Sequence, residues 1–138
     1  MRKLENLKIY TLSYDFLLEI YKVLPLLPDT ELRNIYSQLQ RATTSIVLNI
    51  AEGASNKSNK VFLNHLQYSF GSCKEVQVLL NLMKDLDYIN SKTYKNLFKN
   101  LDDLTASIFK FMTSIEEEVK YRLDNYKLRF NFGKPFAC

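Results

Sequence analysis

The side chains able to do chemistry are few, and their spacing suits packing and binding better than catalysis. The chain has one histidine, His65, and two cysteines, Cys73 and Cys138. A His-dependent metal site or acid–base pair therefore has almost no raw material. No arginine precedes His65 by four to six residues, the spacing used by helical-bundle ribonucleases. The sequence lacks P-loop, GxGxxG and GxSxG patterns and the Glu-x-x-His pairs of di-metal bundles, and neither cysteine has a CxxC neighbour. No catalytic residue, cofactor or metal is expected. His65 lies beside the main apolar stripe of its segment and reads as a packing or surface histidine.

A different set stands out. Arg41, Asn49, Glu52 and Gly53 occupy one segment, and Gly71, Ser72 and Glu75 the next. Small side chains allow a close backbone approach, while an enclosed Asn or Glu needs partners. An Arg41–Glu75 ion pair and a polar network of Asn49, Glu52 and Ser72 near a Gly53–Gly71 crossing are expected. These residues are candidates for fixing helix register or forming a subunit contact.

Four helical segments must position them. The first runs from about Lys3 to Leu24 on a stripe of Leu7, Tyr10, Tyr14, Leu17, Tyr21 and Leu24, and Pro25 and Pro28 stop it. The second runs from a cap at Asp29 or Thr30 to Ala54, along Leu32, Ile35, Leu39, Ala42, Ile46, Asn49 and Gly53. The third starts near Ser58 and reaches Leu86, with Phe62, Leu66, Ser69, Cys73, Val76, Leu80 and Met83 inward. The fourth, capped by Ser91, carries the seam Tyr94, Leu97, Leu101, Leu104, Ile108, Phe111 and Ile115. The expected fold is all-α, an up-and-down antiparallel four-helix bundle over residues 1–120. With only 3 Gly and 3 Pro, a turn-rich β-sandwich is disfavoured.

Residues 121–138 read as a separate basic and aromatic tail, because Lys127 to Phe132 alternates polar and apolar with a strand's period. The net charge of +4 is concentrated at the ends, in Arg2, Lys3 and Lys8 and in Arg122, Lys127, Arg129 and Lys134. Such ends suit phosphate contacts, joined by Lys57 and Lys60 in the polar loop after Gly53. The N-terminus lacks a signal peptide's apolar core and no run approaches a membrane span, so a cytoplasmic, reduced setting without membrane partners is expected.

Gln38-Leu39, Arg41-Ala42, Ser45-Ile46, Asn49-Ile50-Ala51-Glu52-Gly53, Phe62-Leu63 with Leu66, Gly71-Ser72 and Glu75 follow one another in a specific order. This pattern, over Pro28 to Ile89, resembles the four-helix-bundle family encoded in intervening sequences of bacterial 23S ribosomal RNA genes. That fold also includes the accessory variability determinant protein of diversity-generating retroelements. The resemblance implies a bundle that assembles into a ring-like homopentamer. It also implies a non-enzymatic adaptor that binds RNA or an RNA–protein partner such as a reverse transcriptase. The alternative is a protein-only interaction scaffold whose basic ends serve solubility.

Overall fold

The computed structural model describes residues 3–129. Among them there is no strand. Four helices are present: α1 (Lys8–Val23), α2 (Ser37–Ser55), α3 (Asn59–Asp85) and α4 (Ser91–Arg129). Each packs beside the next, and α1 also packs on α4, which closes an antiparallel bundle. No helix among the described residues is long and apolar enough to cross a membrane.

The third and fourth stripes fall where their periods place them. All seven inward α3 positions are buried, as are Leu97, Leu101, Leu104, Ile108 and Ile115 of α4. Ser58 caps α3, its Oγ accepting from the Val61 N–H at 3.3 Å. The cap of α4 is Asn90 rather than Ser91: its Oδ1 accepts from the Thr93 N–H at 2.8 Å.

Helix α1 is rotated from its expected face. Ile9, Ser13, Phe16, Ile20 and Val23 are buried, whereas Tyr14 and Tyr21 are about half exposed. Two stripes lie side by side on this helix, and the one free of phenol groups wins the core, because a buried tyrosine hydroxyl requires a partner. Tyr21 sits at the rim and accepts from Gln40 of α2 at 3.1 Å. The helix also starts later than expected. A 3-10 turn at Leu4–Asn6 and an extended Leu7 precede Lys8.

The entry to α2 is irregular. A 3-10 turn (Asp29–Glu31) leads into a π-helical turn (Leu32–Tyr36) before regular helix begins at Ser37. The wider turn leaves Leu32 exposed while Ile35 and Leu39 are buried. Between α3 and α4 the chain reverses through Asp87, which holds φ 58°. The Tyr88 N–H reaches the Met83 carbonyl at 2.9 Å and the Asp87 N–H the Lys84 carbonyl at 3.0 Å. This is a Schellman closure with aspartate where glycine is usual.

Helix α4 is 39 residues long and continues through Arg129. The strand period at Lys127 to Arg129 is therefore overridden by helix, and helix crosses the expected boundary at residue 121. Phe130 to Cys138, which hold the rest of the expected tail, lie outside the described residues, as does Arg2.

Candidate functional site

The end of α2 meets the start of α3 at close range. Gly53 is buried, and a Cβ there would meet the His65 Cβ and the Phe62 Cδ1 at 2.8 Å each. Only a residue without a side chain allows this approach. One turn earlier, Asn49 uses the closeness. Its Nδ2 donates to the Ser45 carbonyl and to the Ser45 Oγ, both at 3.0 Å. Its Oδ1 is then left to face His65 Nδ1 at 3.0 Å. An amide oxygen can only accept, so Nδ1 carries the imidazole proton. The Glu52 carboxylate stands 3.8 Å from the same nitrogen. At the other end, Ser72 Oγ donates to Ser45 Oγ at 3.1 Å. A polar ladder thus runs from Ser72 through Ser45, Asn49 and His65 to Glu52. Beneath it, buried Ser69 donates to the Ile46 carbonyl at 2.9 Å.

Two expected residues lie elsewhere. Gly71 is exposed and a Cβ there would meet nothing within 4 Å, so it makes no helix crossing in this chain. The α3 period turns position 71 outward, between Tyr68 and Glu75. Arg41 and Glu75 form no ion pair among the described residues. They face across a groove of about 240 Å³ whose other walls are Gln38, Ala42, Ser45 and Ser72. The polar residues of the motif, Arg41, Ser45, Asn49, Glu52 and Glu75, therefore line the outer face of α2 and α3, while Leu39, Ile46, Ile50, Phe62 and Leu66 belong to the core. Exposed Leu48, Tyr68 and Val78 share that face.

The expected cations gather at one end. Antiparallel topology puts the start of α1, the α2–α3 loop and the far half of α4 at the same pole. Two contacts fix this: Phe62 stacks on Phe111 at 5.5 Å, and a groove of about 380 Å³ lies between Asn6–Ile9 and Ser107, Lys110, Phe111 and Ser114. Lys3, Lys57, Lys60 and Arg122 are all exposed there. Arg122 is held by Glu118 at 2.8 Å. Lys127 and Arg129 follow in the last turns of α4. Lys8 flanks the groove together with Lys110, which the sequence reading left out of the site. Glu116, Glu117 and Glu118 interrupt the basic pole on the α4 side.

The sequence reading also left out Ser45 and His65 as members of the ladder. A signal existed for His65: counted along α3 it falls three residues after Phe62, on the turn that must face Gly53. Cys73 is buried beside Thr105, and burial pushes its thiol up to about 11, against smaller lowering effects of the Thr105 hydrogen bond and Lys74.

Residues 5–110 match the family described as 23S rRNA-intervening sequence protein, and the chain belongs to that family. Its fold is similar to that of a protein of unknown function from the S23 ribosomal protein family of Bacteroides thetaiotaomicron. That likeness has a TM-score of 0.70 at 21% identity and covers 76% of this chain and 95% of that one. No curated protein matches the sequence.

Proposed function

We propose that this protein is a non-enzymatic, self-assembling adaptor whose basic pole binds RNA or an RNA–protein partner, such as the reverse transcriptase of a retroelement. The observation that carries this reading is the gathering of Lys3, Lys57, Lys60 and Arg122 at one end of the bundle. Cations far apart in sequence acquire a common target only through the topology. The family description ties its members to ribosomal RNA genes, which favours RNA over other polyanions. A kinship with accessory variability determinant proteins belongs to the same proposal.

Contacts are led by phosphate, so sequence preference is slight and salt dependence steep. With about four phosphates neutralised, affinity for a generic RNA hairpin falls on the order of 50-fold between 50 and 200 mM salt. Lys57→Glu with Lys60→Glu lowers affinity about tenfold or more at low salt. Fluorescence anisotropy checks both values. Binding that ignores salt, or is absent at 50 mM, overturns the reading.

Self-assembly, with a homopentameric ring as the expected form, uses the outer α2–α3 face. Leu48, Tyr68 and Val78 expose apolar surface around the Arg41–Glu75 groove, and glycine at 71 leaves room for an approaching helix. Leu48→Glu with Val78→Glu reduces the particle mass in light scattering without lowering the melting temperature. An unchanged mass removes this face from the assembly. A protein-only scaffold is the second reading. It is favoured if mass depends on this face while RNA binding is absent.

A further inference from the structure

The groove at the basic pole, between the start of α1 and the middle of α4, combines an apolar floor with a cationic rim. The floor is buried Ile9, half-buried Leu7 and the ring of Phe111. Phe111 meets the Phe62 ring at 5.5 Å on its inner side and borders the groove on its outer side. One ammonium group stands on each wall, Lys8 from α1 and Lys110 from α4, and both are exposed. Ser107 and Ser114 lie three and four residues from Lys110, so their hydroxyls share its ridge.

No carboxylate is among the residues lining this groove. Three other grooves each contain one. Glu19 lies between α1 and α4 at the opposite pole, Glu75 on the α2–α3 face, and Asp102 between α3 and α4. An anion entering beside Lys8 and Lys110 meets no opposing charge on the walls, whereas in the other three it does. The volume of about 380 Å³ is at the small end of ligand pockets.

Floor, rim and hydroxyls together select among anions. Free phosphate would use the lysines and leave the apolar floor in water. An unstacked nucleotide uses every part: its base lies on the ring and the aliphatic side chains, its polar edge meets the hydroxyls, and its phosphates meet the ammonium groups. A duplex keeps its bases stacked inside and offers this groove only backbone. We propose that the groove seats one unpaired base of single-stranded RNA, with the flanking phosphates on Lys8 and Lys110. This rests on the reading of the pole as an RNA surface and adds that the surface distinguishes strand from duplex. Stacking tolerates any base, so sequence preference stays slight.

The test is fluorescence anisotropy with an unstructured adenine–cytosine RNA strand of about 12 nucleotides and with an RNA duplex of the same length. Phe111→Leu keeps an apolar side chain but removes the ring. It is expected to weaken binding of the strand on the order of tenfold and to leave the duplex within about twofold. Ser114→Glu, at an exposed position outside the core, sets a carboxylate on the wall and should also weaken the strand more than the duplex. Melting curves verify that both variants are folded at the assay temperature. Lys57→Glu with Lys60→Glu weakens strand and duplex alike. A 5-iodouridine placed in the strand should cross-link to Phe111 under ultraviolet light, located by mass spectrometry. If both groove variants bind the strand as wild type does, the proposal is overturned while the RNA reading of the pole stands, and the groove is left to an acidic peptide. Equal losses for strand and duplex in both variants also overturn it. A wild type that binds neither RNA overturns the proposal and the reading beneath it together.

Discussion

Gly53→Ala is the sharpest perturbation of the motif. The added Cβ would stand 2.8 Å from two carbons, and ordinary contact begins near 3.4 Å, so α2 and α3 must separate by about 0.6 Å at this point. Neither neighbour has an easy escape. The His65 Cβ is fixed to its backbone and no rotamer moves it. The Phe62 ring is fully buried and stacked on Phe111. Overpacking of this kind costs about 1–3 kcal/mol. Alanine returns less than about 1 kcal/mol of helix propensity so close to the helix end. The net loss is about 1–2 kcal/mol, a fall in melting temperature of roughly 3–8 °C for a domain of this size. Equilibrium denaturation in urea reads the free energy directly, with the slope held constant as the sign that the native state is otherwise intact. Gly71→Ala is the paired control. In open space it should stabilise the dissociated chain by about 0.5–1 kcal/mol. If Gly53→Ala equals or exceeds wild-type stability, the close approach is not what this glycine provides.

Other substitutions probe the remaining features. Asn49→Leu deprives His65 of its acceptor and should destabilise the bundle by about 1 kcal/mol in the same urea assay. Asp87→Gly relieves a left-handed backbone and should add about 0.5–1 kcal/mol while preserving the turn, checked by thermal melting. The Cys73 thiol is raised in the folded state to about 11 from 9.0, so the neutral form is favoured by folding. Its contribution is complete below pH 9 and is lost as pH rises toward 11. Measured against Cys73→Val, wild type should therefore lose up to about 2–3 kcal/mol across that window, and the thiol should resist alkylation at pH 8.

Helices α3 and α4 were legible in the sequence because each has a single apolar stripe, with nothing to compete for the core. Helix α1 was not, because its tyrosines mimic a second stripe, and the cost of enclosing a phenol hydroxyl does not register in a count of apolar spacings. The Gly53 crossing was legible from small residues alone, whereas Gly71 looks identical in sequence and differs only in the direction its helix turns it. The Arg41–Glu75 pairing failed for a related reason. The two residues were assigned to the correct neighbouring helices, but groove width is set by the ladder beside them. The common pole of the cations follows from antiparallel order together with short connections, and the tail's strand period was outweighed by the helix that runs into it.

The short Asn56–Ser58 link between α2 and α3 has a kinetic consequence. The two helices can find each other through a small loop, and Ser69 meets Ile46 only 23 residues away. By contrast, Asn100 reaches the Glu19 carboxylate across 81 residues. Loop entropy therefore favours early formation of the α2–α3 hairpin, with α1 and α4 closing the bundle late. Substitutions at Gly53 and Ser69 should slow folding, while Glu19→Ala and Asn100→Ala should chiefly speed unfolding. The face that carries the polar part of the family motif would then be the first part of the molecule to exist, formed before the rest of the chain has closed behind it.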